Sequence, residues 1–356
     1  MCRLLLVTVA FAAVIVSAVP GCSAQDVSIP ALPGTAQVYR ELLAFSKDGR
    51  FLREIVPISS VGAEHFSHIR AITYVAATGK VRHVWNLQPD TWCLSATTDG
   101  RIAVISVDRD RPQGRTRAFL FDTETGRPQD IPSSWFAADD NNLYAAISGD
   151  GRLVSAFSDW GPDNGALVVS VYNWRTKRLV AKQATGYPAG GVSRGGVTVD
   201  GKIEFLSSRG PGEVVDPKTG RSLVSAGPSS LRSPDGAWVV DFPSLLFGDP
   251  PREIIIKNGS NGEVTGKLNL QITDAEQNWV WRGAFCGTSG RFVAATRDTV
   301  QAFEIPSGKK IAEFSSTTWQ DVEAMKTDPT VTVACSFNGK RVAIRSGARL
   351  TLHDLN

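Results

Sequence analysis

Residues Ile147–Ser158 read ISGDGRLVSAFS, and Ala96–Ser106 read ATTDGRIAVIS, nearly the same string one period earlier. In both, an Asp-Gly pair separates two runs of apolar and small residues. An Asp-Gly or Asn-Gly pair supplies the positive φ angles that a tight hairpin needs, so each string reads as strand, turn, strand. Following the turn glycine along the chain gives Gly49, Gly100, Gly151, Gly201, Gly236, Gly290 and Gly339, preceded by Asp five times, by Ser289 once and by Asn338 once.

A second turn follows each first one. It is carried by Thr78-Gly79, Thr125-Gly126, Thr219-Gly220, Asn261-Gly262 and Ser307-Gly308, and in glycine-free form by Asn173 to Lys177. Alternating strands such as RAFLFD (Arg117–Asp122) and VQAFEI (Val300–Ile305) run into these turns. Two hairpins per period make four strands per period. The first glycines are spaced by 51, 51, 50, 35, 54 and 49 residues, the range of four-stranded propeller blades. The reading is an all-β chain: a single seven-bladed β-propeller with four antiparallel strands per blade. Its last unit ends at Leu350–Leu355 with a third strand, so the fourth is expected from Val27–Leu32, pairing the two ends of the chain and removing two open sheet edges.

Composition agrees. Among 356 residues there are 33 Gly and 19 Pro, with 42% hydrophobic residues to build a core. The net charge of +3 arises from 38 basic and 35 acidic side chains that are interspersed, which argues against nucleic acid or an anionic lipid surface as partner. Cys93, Cys286 and Cys335 are an odd, widely separated set, read as buried thiols rather than a disulfide framework.

The first residues read as an export signal. Arg3 precedes the apolar run Leu4–Val19, which is short for a membrane span and is followed by small residues. Cleavage after Ala24 would release a soluble chain. Alternatively Val19-Pro20-Gly21-Cys22 resembles the bacterial lipobox, which implies lipidation of Cys22 and a membrane link through that anchor alone. The expected organisation is a signal over 1–24, with cleavage before Cys22 in the lipoprotein form, a closing strand and linker over 25–36, and the propeller over 37–356. The expected address is extracytoplasmic: secreted, periplasmic or lipid-anchored in a bacterial envelope.

The repeat grammar, S-x-D-G-R followed by a strand, an apolar-Asp end such as Phe121-Asp122 and then T-G-R or T-G-K, resembles the WD40 and YVTN-type propeller superfamily. The resemblance spans about Gln37 to Asn356. No Gly-His pair opens a repeat and no Trp-Asp closes one, so apolar sheet faces are left to hold most blades together. The resemblance implies that both turns of each repeat lie on one face and the longer connections on the other. That long-loop face is the expected contact surface for a protein, peptide or glycan, by a chain expected to be a monomer. Its candidate residues are the aromatics Trp135, Phe136, Trp160, Tyr187, Phe247, Trp279 and Trp319, with Arg109, Arg111 and Arg115 in one loop and Asp139 and Asp140 in the next.

No G-x-S-x-G is present, and His65 and His68 beside Glu64 lack a third metal ligand, so no catalytic, metal or cofactor residues are assigned. The alternative is a propeller hydrolase or quinoprotein-like enzyme working at the channel mouth. One residue breaks the inner-strand pattern. Four places before each repeat glycine stand Phe45, Ala96, Ile147, Val197, Arg232, Cys286 and Cys335, and Arg232 there implies either a charge turned into the channel or, preferably, a register slip beside Pro234.

Overall fold

The computed structural model describes residues 27–29, 42–58, 68–89, 91–107, 117–136, 144–158, 166–188, 192–207, 212–219, 221–226, 231–241, 253–270, 282–288, 290–296, 299–315, 331–346 and 349–355. They form seven four-stranded antiparallel sheets. Six are built from consecutive strands, here a to d, within residues 42–89, 91–130, 144–188, 192–226, 231–269 and 282–315. Blade 7 takes its first three strands from 331–354 and its fourth from Val27–Ile29, which pairs Ile29 with Leu350 and Val27 with Leu352. Ile29 is 1% exposed. The ends of the chain thus close the ring, as the missing last strand requires.

The repeated sentence is a turn that satisfies itself. In blade 1 the Ser46 hydroxyl donates to Asp48 at 2.6 Å and accepts the Phe51 N–H at 2.9 Å, while Asp48 accepts the Arg50 N–H at 3.1 Å. Gly49, at φ 70°, donates its N–H back to the Ser46 carbonyl. The same set recurs on Thr97 and Asp99, Ser148 and Asp150, Ser233 and Asp235, and Ser336 and Asn338. Every a–b connection is five residues long: 46–50, 97–101, 148–152, 198–202, 233–237, 286–290 and 336–340.

These bonds hold several turn carboxylates low. The Ser46 hydroxyl and the Arg50 N–H groups bring Asp48 to about 2. For Asp150 and Asp200 burial pushes the other way, but hydrogen bonds from Ser148 and Arg152, and from Thr198 and Lys202, outweigh it. A carboxyl lowered in the native state stabilises it above the ordinary carboxylate range and loses that contribution as pH falls through the native value. Asn338 makes the same bonds without a charge. Asp150→Asn is accordingly expected to be less stable than the parent at neutral pH and to converge with it on acidification, so that its stability falls less steeply as pH is lowered, measured by urea denaturation across pH.

The glycine-free second turn has its own solution. Lys177 takes the left-handed position, φ 58°, and its N–H bonds the Asn173 carbonyl as Gly126 bonds Asp122. Its ammonium lies 2.8 Å from the centroid of Trp174, which meets Trp135 edge-on at 6.0 Å. The cation–π contact offsets a backbone cost of about 1–2 kcal/mol for a residue bearing Cβ. Lys177→Ala keeps the strain and loses the contact, whereas Lys177→Gly loses both. The glycine variant is expected to be more stable than the alanine one by about 1 kcal/mol in urea denaturation.

Adjacent blades stack through six apolar clusters among the described residues. Blades 7 and 1 share Ala334, Leu352, Phe45 and Leu52; blades 1 and 2 share Ile55, Ala71, Ile105 and Phe121; blades 2 and 3 share Leu120 and Val154. Blades 3 and 4 share Phe157, Val171 and Ile203; blades 5 and 6 share Ile256, Phe292 and Phe303; blades 6 and 7 share Val293, Val333 and Val342. No such cluster joins blades 4 and 5 among the described residues.

The thiol reading is corrected. Cys286 and Cys335 form a disulfide between blades 6 and 7, with Cα atoms 4.7 Å apart, while Cys93 is half-buried outside it. The cause is a shifted turn. Phe285 pairs with Phe292 as Phe45 pairs with Leu52, so Cys286 stands where other blades have the turn's Ser or Thr. Its N–H bonds the Arg291 carbonyl just as that of Ser46 bonds Phe51.

Candidate functional site

The slip suspected at Arg232 is also overturned. Arg232 pairs with Val239 in the register of Phe45 with Leu52 and Ile147 with Val154. The shifted turn is that of blade 6. In a stacked ring the side chains of that row face the preceding blade, and Arg232 accordingly faces Glu204 of blade 4. Its Nε lies 3.8 Å from Glu204 Oε1, with the two side chains 10% and 31% exposed. Arg232 Nη2 donates to the Gly259 carbonyl at 2.6 Å and to the Gly236 carbonyl at 3.2 Å. Its Nε and Nη1 are buried without a hydrogen-bond partner among the described residues. Burial raises the Glu204 carboxyl, against the pull of Arg232 and with a further push from Asp200.

The blade 4–5 seam opens into a cleft of about 370 Å³. It is lined by the a–b turns of blades 2 to 5, including Thr98, Gly149, Arg152, Asp200, Ser233 and Asp235 beside Glu204 and Arg232. Since turns from four consecutive blades meet there, it lies toward the axis on the tight-turn face. A second cleft of about 270 Å³ continues outward between blades 3 and 4 past Arg152, Asp200, Lys202 and Val180. Among the described residues, Val214 and Val239, 3% and 2% exposed, are the buried aliphatics of blades 4 and 5 that fall outside the six clusters.

Of the candidates read from sequence, Trp135 and Phe136 lie in the core between blades 2 and 3, each 8% exposed, with Trp135 stacked on Tyr172 at 3.9 Å. They wall a blade interface and leave little ring for a partner. Tyr187 is on the last strand of blade 3, Leu179–Pro188. Arg109, Arg111, Arg115, Asp139, Asp140, Trp160, Phe247, Trp279, Trp319, Cys22 and His65 lie outside the described residues, as do the side chains of His68 and Tyr187. No group of three His, Cys, Asp or Glu able to hold a metal stands among the described residues.

Glu204 was missed, and a count would have found it. Three places after each repeat glycine stand Leu52, Ala103, Val154, Glu204, Val239, Val293 and Val342, and Glu204 is the one charge.

No family model matches the chain. No curated protein matches it. Among solved structures it is similar to the β-propeller domain of Cps50 (Swd1) from Myceliophteria thermophila, at 11% identity and a TM-score of 0.59, covering 93% of this chain and 100% of that one. At that identity the likeness bears on the fold alone, a β-propeller, in agreement with the seven four-stranded sheets.

Proposed function

We propose that this propeller is a binding or assembly module working outside the cytoplasm, contacting a protein, peptide or glycan with the connections opposite its tight turns. One observation carries the reading. Every a–b turn has five residues, whereas connections on the other side run from one residue, 90, to fifteen, 316–330. Variation confined to one face of a repeated scaffold is where recognition is added. The Cys286–Cys335 cross-link supports an oxidising compartment, as does the signal-like start of the chain; Cys22 then decides between a lipid anchor and release.

The test is capture from a native bacterial envelope fraction, comparing the parent with a Trp160→Ala, Trp279→Ala, Trp319→Ala variant and with Arg175→Ala on the tight-turn face. The expected result is one recurrent partner, held by the parent and by Arg175→Ala and lost with the triple variant. Retention by the triple variant, or turnover of a small molecule with no partner, would overturn the reading.

A further inference from the structure

We propose that the seam between blades 4 and 5 is a carboxylate-binding site, in which Arg232 receives the acid group of a small ligand and Glu204 is the internal carboxylate that the ligand displaces. This site lies on the face opposite the one assigned to partner binding and stands independently of it.

The guanidinium is fixed and unsaturated. Two backbone carbonyls, of Gly236 and Gly259, hold Nη2. Nε and Nη1 have no hydrogen-bond partner among the described residues, on a side chain only 10% exposed. Buried N–H groups left in this state are rare in folded proteins, and an entering acceptor relieves their desolvation cost. A permanently charged guanidinium favours an anionic acceptor, and a carboxylate can take a charge-assisted hydrogen bond from Nε or Nη1. Glu204 stands beyond hydrogen-bonding distance at 3.8 Å, and with its side chain 31% exposed it has open space to swing into. Among the described residues each of the six other interfaces has an apolar cluster, whereas between blades 4 and 5 the Arg232–Glu204 pair borders a cleft of about 370 Å³, the small end of ligand sites.

The charges around Glu204 are Arg232 from blade 5, Asp200 from its own turn, and Arg152 and Asp235 across the cleft. Asp200 is occupied by Thr198 and Lys202, Asp235 by Ser233, and Arg152 by Asp150. Glu204 is the group left to respond. Its carboxyl is lifted by burial, so an entering carboxylate drives it to take up a proton. Affinity for an ionised acid is thus expected to rise as pH falls.

The experiment is calorimetric titration of the full chain with glutarate, and separately with the blocked peptide acetyl-Gly-Glu-Gly-amide, at about pH 6 and about pH 8. The parent is expected to bind more tightly at the lower pH. Glu204→Gln is expected to bind about tenfold or more tightly than the parent at the higher pH and to lose the pH dependence, and Arg232→Leu to bind about tenfold or more weakly. Binding of glutarate assigns the site to a free organic acid, and binding of the peptide alone assigns it to an acidic side chain. Absence of binding of either probe to both parent and Glu204→Gln, equal binding by those two, or undiminished binding by Arg232→Leu would overturn the proposal. If Arg232→Leu does not fold, the gain in Glu204→Gln and its flattened pH profile decide.

Discussion

Replacing Glu54 with alanine is expected to lower stability by about 3–5 kcal/mol, read as a fall in the urea midpoint. Glu54, on the second strand of blade 1, and Arg345, on the second strand of blade 7, meet at 3.3 Å with side chains 0% and 3% exposed. Tyr74 donates its hydroxyl to the second Glu54 oxygen at 2.9 Å. Burial, and then Glu54 itself, keep that phenol protonated and therefore a donor. Removing the carboxylate strands a guanidinium inside the ring's closing interface, and an uncompensated buried charge costs more than the pair contributes. The double change Glu54→Leu with Arg345→Met is for the same reason expected to recover most of the loss, since apolar side chains of similar volume replace such pairs at little cost. A double variant as unstable as Glu54→Ala would sink this account. Burial pushes the Glu54 carboxyl up, with Arg345 and Tyr74 opposing. An acid raised in the native state contributes stability below its ordinary range and loses it as pH rises through the native value. Glu54→Gln is expected to lack that decline.

The turn grammar was legible because it is local. A hydroxyl, an Asp or Asn side chain and a glycine within six residues satisfy each other in six of the seven turns, so the copies announce hairpins whatever surrounds them. Closure was legible because the seventh unit runs out of chain one strand short. Blade 6 misled the count: Gly287 and Gly290 both adopt positive φ there, and Cys286 replaces the turn hydroxyl. Counting back from the glycine therefore put the cysteine one row from where it stands. Glu54 was hidden for another reason. FLREIVPI looks like a strand with a charged outer face, but in a stacked blade both faces of a strand are covered, and the sequence does not say which charge finds its partner two hundred and more residues away.

The site divides in the same way. Arg232 was visible as an exception to a row, and Glu204 was visible to the same count made in the other direction. Their meeting depends on blade 5 stacking on blade 4, which is a property of the ring and of no single segment. The cleft was invisible for that reason as well: each turn that lines it is short and self-satisfied, and the opening exists where four of them converge. Trp135 and Phe136 carried the opposite error. They sit in a connection of the sort that usually lies at the surface, yet the 3₁₀ turn Ser133–Trp135 folds Trp135 onto Tyr172, inside the blade 2–3 interface.

Replacing both Cys286 and Cys335 with alanine, or reducing the parent, is expected to cost about 4 kcal/mol, the loop-closure entropy of a cross-link of this span. The two cysteines are 49 residues apart, so the bond constrains a whole blade's length of unfolded chain. Its position adds to its effect. It joins blade 6 to blade 7, whose other side is held to blade 1 by the Arg345–Glu54 pair and by the strand from the chain's start. Blade 7 is thus the one sheet assembled from both ends of the chain, and the disulfide ties its C-terminal part to the preceding blade independently of that closure. Urea denaturation with and without reductant separates the cross-link from packing: the parent is expected to lose stability on reduction, and the double alanine variant to be indifferent to it. Equal midpoints for the oxidised and reduced parent would mean that the apolar contacts of Val293, Val333 and Val342 hold blades 6 and 7 together unaided, and that the bond reports the compartment rather than supporting the ring.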